Sequence, residues 1–166
     1  NQRLFRFEKY IKTVTTSSYQ EIPALIEAIG YRDYRFYKPA TTALLRMMPT
    51  AKEQARGALR TMIEHLDPCE WNAESLQIMI IAVSEFGPDA APAVPRLIDA
   101  LQCRKTSTYV VSPDMIRYQA ARALGAIGPA AKDAVPALRE ALGDPSTRVR
   151  EEAEKALRAI ELQPEQ

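Results

Sequence analysis

Apolar and polar positions along this chain recur at two scales. Over one helix length, Ile116, Ala120, Leu124 and Ile127 fall at i, i+4, i+8 and i+11, which lines them up as a single stripe. Val149, Ala153, Leu157 and Ile160 draw the same stripe one unit later. The larger pattern also returns. A shift of 41 residues lays "FGPDAAPAVPRLIDAL" (86–101) on "IGPAAKDAVPALREAL" (127–142), so that Gly87 meets Gly128, Val94-Pro95 meets Val135-Pro136 and Leu101 meets Leu142. "EIPALIEAIG" (21–30) falls on "AVPALREALG" (134–143), and "FYKPATTALLRM" (36–47) falls on "VREEAEKALRAI" (149–160), with Ala40 on Ala153 and Leu44 on Leu157. A weaker unit at 44–68 keeps a break at Pro49, a helical run and a closing Asp67-Pro68.

The prolines act as punctuation within this repeat. A proline in the first turn of a helix forfeits no hydrogen bond, because those N–H groups have no partner in any case. Pro23, Pro95 and Pro136 fit such first-turn positions. Gly87-Pro88 and Gly128-Pro129 end one helix and turn the chain into the next. Asp144-Pro145 opens a further helix, with Asp144 or Ser146 placed to cap it. The predicted helices cover 19–29, 36–48, 51–66, 71–86, 90–103, 114–127, 131–142 and 146–162. Residues 3–12 read as a remnant helix, 13–18 as a polar loop, and 104–113 as a long loop with Tyr109-Val110-Val111 tucked against its neighbours.

One such hairpin cannot hide its own stripe, so units must stack side by side. The pattern RxxAARALGAIGPAAKDAVPALREALGDP at 117–145 resembles the HEAT repeat, in the short bacterial variety of the phycobilisome-lyase type. The likeness is strong over 80–160, fair over 19–47 and weak over 48–75. It implies an all-α protein, a right-handed α-solenoid of about four HEAT-like helical hairpins over residues 19–166, preceded by an N-terminal segment at 1–18. It also implies a short menu of functions: protein-binding scaffold or adaptor domain of a larger bacterial protein, tetrapyrrole-lyase or chaperone-like subunit, or nucleic-acid binder. Fold alone does not choose among them.

Composition narrows the menu. A hydrophobic fraction of 46% with 26% charged residues is that of an ordinary globular domain, and a net charge of +1 gives no global attraction to nucleic acid or anionic lipid. No apolar run reaches the length of a membrane span. The chain begins at Asn1, which reads as a processed protein or a piece of a longer one; the helix at 146–162, with Glu151, Glu152, Glu154 and Lys155 on its outer side, reads as the closing face of the stack.

Candidate chemistry is sparse. His65 is the sole histidine, and no serine or cysteine near it in sequence completes a nucleophilic centre, so no catalytic residue is assigned and the expected protein is not an enzyme. No phosphate loop, cofactor site or metal-ligand spacing is found; a zinc set of Cys69, Cys103, His65 and Asp67 or Glu70 matches no usual motif. Hairpin geometry brings Cys69 and Cys103 to the same edge of the stack, as a disulfide pair or as two unrelated thiols. Pairing would place the protein in an oxidising compartment such as the periplasm; otherwise the cytoplasm is the default.

In HEAT-like solenoids the second helix of each unit lines the concave side. There the exposed candidates are Glu27, Arg56, Arg60, Arg96, Asp99, Arg139 and Glu140. Arg56, Arg60 and Arg96 form a central basic patch flanked by carboxylates, a mixed-charge face rather than a phosphate track. A second contact edge is "GYRDYRFYKP" at 30–39, with Tyr31, Tyr34, Arg35 and Tyr37, unless these rings simply close the end of the stack. The expected partner is another protein or another domain of the same protein.

Overall fold

The computed structural model describes residues 22–30, 39–40, 42–47, 56, 59–60, 62–64, 66, 73–104 and 112–161. Expectations for the remnant helix and loop at 1–18, the tyrosine-rich edge at Tyr31, Tyr34, Arg35 and Tyr37, His65, Cys69 and the Tyr109–Val111 loop fall outside these residues. Among the described residues every regular element is helical. Helix α1 spans Ile22–Gly30, α2 Ala73–Ser84, α3 Val94–Leu101, α4 Pro113–Ile127, α5 Val135–Ala141 and α6 Thr147–Glu161. Residues 42–47 and 62–64 are also helical.

The helices stack in two layers. Helices α2, α4 and α6 pack in series, while α3 packs on α5 in the second layer; α3 also contacts α4, and α5 contacts α6. This is the α-solenoid arrangement, with each hairpin covering its neighbour's apolar surface. One contiguous core results, running from Ile22 and Leu25 through Leu44, Met47 and Met62 to Leu97, Leu124, Leu138 and Ile160.

Position in the stack decides how much of each helix is apolar. Helix α4 lies between α2 and α6, and the predicted stripe of Ile116, Ala120, Leu124 and Ile127 is buried. So are Ala121 and Ala123, because a second neighbour covers a second face. Small residues there let α6 come close. A Cβ built on Gly125 would sit 3.1 Å from the Ala156 Cα, so a side chain at this position would push the two helices apart. Among the described residues helix α6 has one neighbour in its layer; it buries Val149, Ala153, Ala156, Leu157 and Ile160 and turns Glu151, Glu154, Lys155 and Arg158 to solvent.

Pro95 and Pro136 stand in the first turns of α3 and α5, as their spacing requires. The segments before them differ from expectation. Helical runs from 90 and from 131 were predicted, but residues Gly87–Ala93 and Gly128–Ala134 form 3-10 helix, and the α-helices begin only at Val94 and Val135. Two prolines, Pro88 and Pro92, lie within the first of these segments, and Ala131 in the second leaves helical geometry. Tighter winding lets the chain reverse while Ala90, Ala93, Ala131 and Ala134 stay buried. Each segment opens on a glycine with positive φ, +58° at Gly87 and +70° at Gly128, where an L side chain is strained.

Candidate functional site

Two places concentrate polar side chains. The first lies inside the stack, at the junction of the last two hairpins. Arg117, on α4, is 6% exposed, and it grips Asp144 with both arms of its guanidinium: Nε donates to Oδ2 at 2.7 Å and Nη2 to Oδ1 at 2.9 Å. Its third nitrogen, Nη1, donates to the Cys103 carbonyl at 2.9 Å. Arg117 therefore touches the exit of α3 behind it and the turn between α5 and α6 ahead of it.

Asp144 or Ser146 was expected to cap the helix that begins at Thr147; Ser146 holds the position just before it, and Asp144 has a different role. Its carboxylate accepts the Ser146 N–H at 2.8 Å, ahead of the helix, while the Ser146 carbonyl takes the N–H groups of Val149 and Arg150 at 3.1 Å. Burial pushes the Asp144 pKa up, but the Arg117 fork, the Ser146 N–H and the charges of Arg117 and Arg104 outweigh it and hold the carboxyl below its usual value. The next unit repeats the reach to a backbone carbonyl: Arg150 Nη1 donates to the Asp144 carbonyl at 2.7 Å. Nearby, the Ser112 hydroxyl holds the Asp114 carboxyl low against a smaller upward push from burial.

The second place is on the surface, at a cleft lined in part by Arg56 and Arg60. Glu27, Arg56, Arg60, Arg96, Asp99, Arg139 and Glu140 are all exposed. Arg56, Leu59, Arg60, Ile63, Glu64 and Pro92 line a cleft of about 490 Å³, a volume within the range of ligand pockets. Its floor is made of aliphatic side chains and its rim is charged. Arg56 Nη2 pairs with Asp89 Oδ2, joining the cleft residue Arg56 to the 3-10 segment Gly87–Ala93. Arg60 Nε pairs with Glu64 Oε1 at 3.2 Å on its own helix face.

The predicted arginines are thus divided. Arg56 and Arg60 share the cleft. Arg96 stands on α3, one helical turn past Pro92, and has no ion-pair partner among the described residues; Asp99 follows a further turn along. Arg139 turns the other way, and its Nη2 reaches Glu161 Oε1 on α6 at 2.9 Å. The 41-residue register explains this, since Arg139 matches Ile98 and not Arg96.

The Arg117–Asp144 fork was not singled out in the sequence, although both residues stand within the RxxAARALG…LGDP pattern. The available signal was an arginine at the same stripe-flanking position in two units, Arg117 beside Ile116 and Arg150 beside Val149. Cys103 is buried, and its pairing with Cys69 falls outside the described residues. Among the described residues no three His, Cys, Asp or Glu side chains gather as a metal-binding group, and no helix is long and apolar enough to cross a membrane.

No curated protein matches the chain. Residues 111–166, which include α4, α5 and α6, match the family model of HEAT repeats. With stacked hairpins, first-turn prolines and a repeated arginine-to-carbonyl bond on the same segment, residues 111–166 are similar to HEAT repeats in both sequence and packing.

Proposed function

We propose that this protein is a non-enzymatic scaffold or adaptor that docks another protein, or another domain of its own chain, on the face formed by its second helices. HEAT repeats commonly serve as protein-binding scaffolds. The observation that carries the reading for this chain is the cleft of about 490 Å³ with its aliphatic floor and charged rim at Arg56, Arg60 and Glu64. Aliphatic surface ringed by exchangeable ion pairs is the composition of a protein-binding patch. Duplex nucleic acid is the poorer occupant, because Asp89 and Glu64 offset the charges of Arg56 and Arg60.

Arg56, Arg60 and Arg96, changed together to Glu, are expected to preserve the helical circular dichroism and to abolish capture of a partner from native extract. Undiminished capture by the triple variant would refute the face assignment.

A further inference from the structure

Which partner chemistry suits the cleft follows from which of its charges are committed. Arg56 is held by Asp89, 33 positions away, and both side chains are about half covered. Arg60 differs. Its side chain is 89% exposed, and its partner Glu64 lies four residues along the same helix face. Exposed pairs of that kind contribute little to stability, so an incoming carboxylate displaces Glu64 at little cost. Arg96 has no ion-pair partner among the described residues and lies closer along the chain to the cleft wall at Pro92 than Asp99 does. The guanidinium groups open to a newcomer are therefore those of Arg60 and Arg96. Arg60 lines the cleft together with Leu59, Ile63 and Pro92, and Arg96 stands four residues past Pro92 on α3.

We propose that this cleft binds a short peptide segment of the partner that combines an aliphatic side chain with a nearby carboxylate. The aliphatic group seats on Leu59, Ile63 and Pro92, and the carboxylate meets Arg60 and Arg96. Guanidinium is the suited receptor, since it offers a planar fork to a carboxylate while its stem covers apolar surface. This inference rests on the docking face proposed above and adds the chemistry of what docks there.

The test is fluorescence anisotropy on the whole chain with three labelled decapeptides: one alternating Leu and Glu, one with Lys for every Glu, and one with Ser for every Leu. The Leu/Glu peptide is expected to bind several-fold more tightly than either relative and to weaken with added salt. Arg60→Glu and Arg96→Glu should each weaken it further, and Pro92→Glu should do so through the apolar wall; all three positions are exposed, so thermal melts should stay near wild type. Equal binding of the Lys peptide, or indifference to all three substitutions, would overturn the proposal. So would a concentration-dependent dimer that Arg60→Glu dissolves, because the cleft would then belong to a second copy of the chain. If the peptides fail while the triple variant loses partner capture, the docking face stands and only the peptide chemistry falls.

Discussion

The hairpins at 73–101 and 113–141 run in the same register but hold their neighbours differently. Moving back 41 residues from Arg117 and Asp144 leads to Leu76 and Cys103, both buried. What is an aliphatic side chain and a thiol in one unit is a forked ion pair in the next. The same shift sets Met79, Ile80 and Val83 of α2 against Ala120, Ala121 and Leu124 of α4, and Ser84 against Gly125. A single backbone plan thus accepts either bulk or charge at its junctions, provided each is fully partnered. A buried pair of charges gains little over well-packed apolar groups, yet it is costly to break halfway.

The strongest way to probe this contrast is Asp144→Ala. It strands the Arg117 guanidinium at 6% exposure, and a loss of about 3–5 kcal/mol is expected in urea unfolding. The matching swap, Arg117→Leu with Asp144→Cys, copies the earlier hairpin and should be more stable than Asp144→Ala. If the double variant is the less stable of the two, the junctions are not interchangeable.

Next in size are the glycines. Gly128→Ala places a Cβ at φ +70° with no close neighbour, so its cost, about 1–3 kcal/mol, comes from the backbone alone. Gly125→Ser installs the residue that the earlier hairpin carries at that position. In α2 the Ser84 hydroxyl donates to the Ile81 carbonyl at 2.7 Å, whereas on α4 the new Cβ meets the Ala156 backbone at 3.1 Å. A melting loss equivalent to about 1–3 kcal/mol is expected for Gly125→Ser, and little change for Ser84→Gly beyond helix propensity.

A smaller effect separates the two junctions by pH. Asp144 has a folded-state pKa below the ordinary 3.8, so its contribution is complete above that value and is lost as the pH falls through the lowered one. Stability of the wild type should therefore drop more steeply in acid than that of the Leu/Cys swap. Smallest of all is Arg139→Ala. The pair with Glu161 is exposed, and less than about 1 kcal/mol is expected in thermal melts.

Much of this architecture is legible in the chain because glycine and proline act locally. Pro95 and Pro136 mark helix starts, and Gly87 and Gly128 mark reversals, by constraints that involve only their own backbone. The 3-10 segments were hidden because Ala-rich stretches such as GPAAKDAV satisfy α-helical propensity, and only packing of Ala131 and Ala134 into the core selects the tighter winding. The polar contacts were hidden for another reason. Arg117 meets Asp144 across 27 positions and Arg56 meets Asp89 across 33, separations set by how units stack and not by any period within one helix. The exposed arginines were found individually, but whether Arg139 joins Arg96 or turns to Glu161 depends on a third helix.

The Arg117 side chain has one further effect. Because it holds the Cys103 carbonyl on one side and the Asp144 carboxylate on the other, fraying of the last helices releases a bond at the end of α3 as well. Amide hydrogen exchange at Gln102 and Cys103, whose N–H groups close the last turn of α3, should then speed up together with exchange along α6. Opening of α6 becomes a shared event of two units, set by a single side chain between them.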